Sequence, residues 1–200
     1  MTRALLVIDV QIDFCPGGAL PVAGGDEIVG ACNAMLADAE RFPIRVLTQD
    51  FHPRGHSSFA SAHGAEPMTL TQAAYGPQVL WPDHCVQGTP GAAFHPGLET
   101  DRADLVLRKG FRPRIDSYSA FFENDRTTRT GLEGYLRERG CTEVVCVGLA
   151  LDFCVRWSAV DAAALGFAAS VEESACRAID LDGSLAEARS EMKTAGVALA

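Results

Sequence analysis

The run Val144–Val155, VVCVGLALDFCV, constrains this chain most, because a fully apolar β-branched segment passes into a helix with almost no connection. Val144, Val145, Cys146 and Val147 read as a strand buried on both faces, the mark of a parallel sheet, and Gly148 ends it. Beyond Leu149, Ala150 and Leu151, Asp152 can open a helix with apolar positions at Val155, Ala159 and Ala163 that closes at Gly166. Cys154 then falls in the first helical turn, where unpaired backbone N–H groups and the helix dipole favour a thiolate and can hold an oxyanion. Taken alone, a cysteine in such a place is more often a small buried hydrophobe than a reactive group. The remainder of the chain has to decide between the two.

The same alternation runs from end to end. Ala4–Val10 is a near-continuous apolar run with Asp9 at its carboxyl end, followed by a loop rich in proline and glycine. From Asp26 to about Arg41, Ile28, Cys32, Met35, Leu36 and Ala39 keep helical spacing until Pro43 stops the element. Ile44–Leu47 is a second strand that delivers Thr48, Gln49 and Asp50 to its end. Asp104–Lys109 is a third, ending in a lysine; Thr130 and Glu133 have the spacing of a capping box for a helix carrying Leu132, Tyr135 and Leu136 and ending at Gly140. Ala168–Val171 is a further strand and Ser184–Lys193 a last helix. This alternation predicts an α/β fold, an open and mostly parallel sheet with helices on both faces. In such sheets the site lies at the carboxyl ends of the strands, which brings Asp9, Asp50, Lys109 and the Cys154 turn to one edge.

Composition bounds the rest. Two hundred residues with 48% hydrophobic content suit one domain over 1–200. A net charge of −9 argues against a nucleic-acid or anionic membrane surface. The N-terminal apolar run is broken by Asp9 too early for a signal peptide, and no run reaches membrane-spanning length, so a cytoplasmic chain is expected. The seven cysteines contain no CxxC pair and lie in apolar segments, the pattern of a reducing compartment. Whether the chain forms a homo-oligomer is open at this point.

Regular patterning lapses from Phe51 to Arg102, and a segment of that length within a compact domain is either disordered or functional. It carries Trp81 and all five histidines, so it reads as a functional insertion, at about 51–102. Asp50 and His52, at i and i+2, can point to one side of an extended segment, and His84 can return to them. Two imidazoles and a carboxylate leave coordination positions open and suit one divalent ion, with zinc, iron(II) or manganese all possible. His56 stands between ligand and supporting partner, whereas His63 and His95 lack a partner at ligand spacing. Asp9, Lys109 and Cys154 together can move a proton between thiol and leaving amine; the competing reading is a buried ion pair beside an inert thiol. Phe14 and Trp81 are apolar plates that can sandwich a flat ring or simply fill the core.

These residues sit in motifs. Asp9–Phe14 (DVQIDF), Asp50–Phe59 (DFHPRGHSSF), Trp81–Ala92 (WPDHCVQGTPGA), Lys109–Gly110, Asp116–Phe121 (DSYSAF) and Gly148–Val155 (GLALDFCV) together resemble the nicotinamidases among the isochorismatase-like cysteine hydrolases. The resemblance runs in order over roughly residues 4 to 180. It implies a Rossmann-like three-layer fold and hydrolysis of nicotinamide to nicotinate and ammonia, with pyrazinamide cleaved as well, as in pyridine nucleotide salvage. By position it implies Cys154 as nucleophile, Asp9 as proton carrier and Lys109 as the third catalytic member. It implies Asp50, His52 and His84 as metal ligands, with His56 matching a histidine that ligates in some members. Phe14, Leu20, Trp81 and Tyr118 match ring-contacting positions. The backbone N–H groups of Ala150 and Cys154 match an oxyanion hole, with a cis peptide expected at Leu149–Ala150. The chain departs from the common pattern at Ile12, Leu151 and Phe153, the last beside the nucleophile position. Two alternatives remain at this stage: an amidase of the same superfamily for a ureido or carbamoyl substrate, and a non-catalytic metal- or ligand-binding protein on this fold.

Overall fold

Each long apolar run becomes a strand of one parallel sheet, and the reversal of winding in its middle fixes where a site can form. The computed structural model describes residues 2–200. In chain order the elements are β1 (Thr2–Ile8), α1 (Val29–Ala37), β2 (Ile44–Asp50), β3 (Thr69–Ala73), β4 (Gly76–Leu80), β5 (Leu105–Lys109), α2 (Leu132–Glu138), β6 (Cys141–Gly148), α3 (Arg156–Ala164), β7 (Ala168–Cys176), α4 (Ser184–Thr194) and β8 (Ala198–Leu199). Six of the strands form one sheet in the order β5-β2-β1-β6-β7-β8, with every neighbouring pair parallel. Successive crossovers move outward from β1 to β2 but in the opposite direction from β6 to β7. Right-handed crossovers then set α1 on one face and α3 on the other. The switch point between β1 and β6 is where Asp9 and the Cys154 turn emerge.

The two central strands are apolar on both faces because both faces are covered. Ala4 to Ile8 and Val144 to Val147 are all buried, and α1 packs against β1 and β7 while α3 packs against β6 and β7. β1 and β6 also approach closely at their ends. Gly148 has φ +118°, and a Cβ there would stand 2.1 Å from the Ile8 carbonyl oxygen.

The elements depart from the sequence expectation in four places, each for a local reason. The segment between β2 and β5 contains a small antiparallel hairpin, β3–β4, whose TLTQA and GPQVL carry too little apolar alternation to announce strands. The capping box does not form: Gly131 enters α2 with φ +98°, the Thr130 hydroxyl donates to Ala120 O and accepts from Leu132 N, and Glu133 pairs with Arg129 instead. β7 runs on to Cys176, and a short β8 follows α4 at the far edge. Finally, Leu151–Val155 is a wide turn closed by Val155 N–H donating to Ala150 O at 3.1 Å, five residues back, and the regular helix starts only at Arg156. Among the described residues no helix is long and apolar enough to cross a membrane.

Two glycines should respond to alanine in opposite directions. Gly148→Ala forces a Cβ into the β1 backbone at positive φ and should cost about 3 kcal/mol or more in urea unfolding. Gly134→Ala, in α2 with nothing within 4 Å of the added atom, should stabilise by about 0.5–1 kcal/mol.

Candidate active site

Three strand ends and one turn meet at a buried ammonium. Lys109, the last residue of β5, is fully buried, and its Nζ lies 2.8 Å from Asp9 Oδ2, 2.8 Å from Asp50 Oδ1 and 3.5 Å from Cys154 Sγ. Nζ also donates to Ser117 O at 2.8 Å. Asp9 follows β1 with φ +50°, held by hydrogen bonds from its N–H to Thr48 and by the Thr48 hydroxyl, which donates to Asp9 Oδ1 at 2.6 Å. Asp9 Oδ2 faces the ammonium without an aligned hydrogen bond, so it keeps a lone pair free. Ligating atoms of Asp9, Asp50 and Cys154 lie within 4.8 Å of one another.

The electrostatics follow from this burial. Burial works against the Lys109 ammonium, but Asp50, Asp9 and Cys154 outweigh it and raise its pKa well above the ordinary lysine value. Burial lifts the Asp9 carboxyl above its usual range against the opposing pull of Lys109. Burial also drives the Cys154 thiol well above the usual range; Lys109 opposes this, while Asp9 and Asp50 add to it. Burial thus opposes the thiolate that a helix start alone would favour, and the acceptor with a free lone pair beside the thiol is Asp9.

Asp50 reaches the other way as well. Its Oδ2 lies 3.3 Å from His52 Nε2 and 3.8 Å from His84 Nε2. His52 Nδ1 donates to Gly110 O and His84 Nδ1 to Pro82 O, each at 2.8 Å, which turns Nε2 of both rings toward the carboxylate. Burial alone would raise the Asp50 carboxyl, but Lys109 and His52 hold it well below its usual range. His52 Nε2 is buried without a hydrogen-bond partner. Three converging lone-pair donors, one of them orphaned, fit a divalent cation, and the ligating atoms are all within 4.8 Å of one another. Gly110, with φ +65°, leaves room for the His52 ring, which an added Cβ would meet at 2.5 Å.

His56 does not join that trio. Its Nε2 donates to Arg112 O at 2.8 Å and its Nδ1 takes the Ser58 hydroxyl at 2.7 Å, so neither nitrogen is free; its ring packs on His52 at 4.5 Å between centroids. Its ligating atoms instead group with those of His52 and Asp116. His63 and His95 lie outside the cluster, as expected.

Both groups open on one cavity. Phe14, Leu20, Trp81 and Tyr118 all line it, together with Ala150 and Cys154, and the Leu149–Ala150 peptide is cis. Phe153 completes an edge-to-face cluster, 5.0 Å from Trp81 and 5.7 Å from Tyr118 between ring centroids. Gln78 of β4 donates to Asp116 Oδ2 at 2.8 Å and to Tyr118 Oη at 3.1 Å, and Trp81 Nε1 donates to Tyr118 Oη at 3.1 Å. Gln11 ties the loop after β1 to β2: its Nε2 donates to Asp50 O and its Oε1 accepts from Asp50 N, both at 2.8 Å. Sequence reasoning missed Asp116 and Ile179 as lining residues, and Thr48, Gln11 and Gln78 as supports. Asp116 stands in the quoted DSYSAF motif and could have been singled out; Ile179 is a lone apolar residue in an irregular stretch and gave no signal.

The isochorismatase domain family matches residues 3–200. The nicotinamidase of Acinetobacter baylyi is 53% identical over 195 residues, covering 97% of this chain and 90% of that one. Among solved structures, the nicotinamidase/pyrazinamidase of Acinetobacter baumanii superposes with a TM-score of 0.96 at 51% identity, over 99% of this chain and 95% of that one. The PnC1 protein of L. infantum, solved in complex with nicotinate, gives 0.87 at 40% identity over 100% and 92%. The pyrazinamidase of Pyrococcus horikoshii, solved in complex with zinc, gives 0.80 at 33% identity over 100% and 99%. With its catalytic-type strand ends, its metal-ready trio and its full-length likeness to these proteins, the chain belongs to the isochorismatase-domain family, on its nicotinamidase branch.

Proposed function

We propose that the protein hydrolyses nicotinamide to nicotinate and ammonia through a cysteine thioester, and cleaves pyrazinamide in the same way. The observation that carries this reading is the convergence on one aromatic-lined cavity of a Cys154–Asp9–Lys109 cluster and an Asp50–His52–His84 trio. The relatives' activity on nicotinamide and the nicotinate complex support it.

The ring lies between Phe14 and Trp81, with its carboxamide over Cys154. As Sγ attacks the amide carbon, Asp9 Oδ2 accepts the thiol proton, and the backbone N–H groups of Ala150 and Cys154 hold the oxyanion. Asp9 then passes that proton to the nitrogen as the C–N bond breaks and ammonia leaves. A water adds to the thioester, giving its proton to Asp9, which returns it to sulfur as nicotinate departs. Lys109 keeps the buried Asp9 compensated through these transfers and offsets part of the cost of ionising the thiol. Asp50, His52 and His84 would hold the divalent ion, with His56 supporting His52 from behind. When bound, the ion supplies a Lewis-acidic point for the ring nitrogen or a water beside it. We assign zinc, with iron(II) and manganese as ions the same N/O donors accept. Residues 51–102 act as an insertion within a single 1–200 domain, and the seven free cysteines fit a cytoplasmic setting.

Ammonia release from nicotinamide by the purified, metal-supplied protein tests the activity directly; no release under these conditions would overturn it. Cys154→Ala should abolish the reaction while leaving nicotinamide binding measurable by calorimetry. Asp9→Asn should lower kcat by about 10²–10⁴-fold, the usual worth of a positioned proton carrier. Chelation should remove activity and lower the melting temperature, and added zinc, iron(II) or manganese should restore both; a chelated protein with unchanged melting and turnover would count against the trio.

A further inference from the structure

One wall of the cavity has no role in the chemistry above. Ile179 lines it beside Ala150, Phe153 and Cys154, yet it belongs to the stretch between β7 and α4, where residues 177–180 carry no regular structure. No helix or strand pairing holds this stretch, and Asp180, Asp182 and Gly183 have φ of 55°, 51° and 88°, the left-handed region that glycine and aspartate tolerate best.

A single buried carboxylate holds it instead. Asp152, 1% exposed and two residues before Cys154, accepts from Ile179 N at 3.0 Å through Oδ1. Its Oδ2 accepts from Asp180 N at 2.8 Å and from the Ser184 hydroxyl at 2.5 Å. Leu151 N–H adds a fourth bond, donating to Arg177 O at 2.8 Å. Three of the four join the Cys154 turn to the stretch that carries Ile179, and the Ser184 bond joins it to the first residue of α4. Asp152 has no cation among these partners; its charge rests on neutral donors and on the start of α4, whose dipole favours an anion there. Three hydrogen bonds to one buried carboxylate are more than core filling requires, and they fix the height of Ile179 over the cavity relative to the sulfur.

We propose that Ile179 determines how closely the cavity fits the substrate ring, and that Asp152 is the positioning residue that sets it, so that the nucleophile's turn and the selectivity wall move as one body. This rests on the nicotinamidase reading and deepens it. Ile179 meets the ring through apolar contact alone. Trimming it therefore weakens nicotinamide binding more than the chemical step and admits a ring carrying an extra methyl group. An asparagine at 152 has one acceptor oxygen in place of two, so it drops at least one of the three donors and loosens the same wall.

The test compares native protein, Ile179→Ala, Asp152→Asn, Ser184→Ala and the Ile179→Ala/Asp152→Asn pair. Their kcat and KM are measured on nicotinamide and on 4-, 5- and 6-methylnicotinamide, with melting curves alongside. Ile179→Ala should raise KM for nicotinamide about tenfold with a smaller change in kcat, and improve the selectivity ratio for at least one methylated ring by a similar factor. Asp152→Asn should shift that ratio the same way, and the pair should shift it no further than Ile179→Ala alone, the signature of coupled sites. Ser184→Ala removes one bond of the three and should move the ratio in the same direction by less; it decides the matter if Asp152→Asn does not fold. A folded Ile179→Ala with unchanged KM and ratio overturns the wall. Ser184→Ala and Asp152→Asn that melt lower with an unchanged ratio overturn the positioning role. Native protein that releases no ammonia from nicotinamide overturns the functional reading itself, a result distinct from both.

Discussion

The Lys109 ammonium, fully buried between the carboxylates of Asp9 and Asp50, is the interaction on which the rest of the site depends. Neither carboxylate could stay ionised at this depth without it, and removing one member of such a buried set typically costs about 3–5 kcal/mol. The arrangement also joins two tasks. Through Asp9 the ammonium faces the thiol, and through Asp50 it faces the paired imidazoles. Any change in the charge at one side is felt at the other across a few ångströms of low-dielectric interior.

The fold brings these groups together by topology. Lys109 closes β5, Asp50 closes β2, Asp9 follows β1, and Cys154 sits in the turn after β6, which are four neighbouring strands in the sheet. The reversal of winding between β1 and β6 leaves a crevice at their carboxyl ends that the crossovers do not cover. The segment from 51 to 102 and the loops at 11–25 and 111–131 then roof that crevice with Phe14, Leu20, Trp81 and Tyr118. Gln11 ties the loop after β1 to the Asp50 strand end, and Gln78 of the β3–β4 hairpin ties the 111–131 loop through Asp116 and Tyr118.

Much of this was legible in the sequence because strand ends are legible. Apolar β-branched runs stop where a charged residue starts, and Asp9, Asp50 and Lys109 each mark such a stop. His52 and His84 were readable from spacing and from the chemistry of the loop. His56 was not, because its Nε2 is taken by the carbonyls of Arg112 and Ile115, which are distant in the chain. The burial of Cys154 was hidden for a related reason: a helix start favours a thiolate, burial opposes it, and how deeply the sulfur sits is decided by residues distant in the chain. The wide turn at Leu151–Val155, the hairpin β3–β4 and the placing of Ile179 by Asp152 all rest on contacts between distant residues, which no local pattern encodes.

The central claim is that the Cys154 sulfur, relieved of its proton by Asp9, becomes acylated during turnover. Rapid quenching of the protein during steady-state hydrolysis of nicotinamide, followed by intact-mass and peptide mass spectrometry, tests it most directly. A nicotinoyl adduct confined to the peptide that carries Cys154, and absent from Cys154→Ala, is the result the account predicts. Sustained turnover by a protein whose Cys154 peptide stays unmodified at every quench time would contradict it.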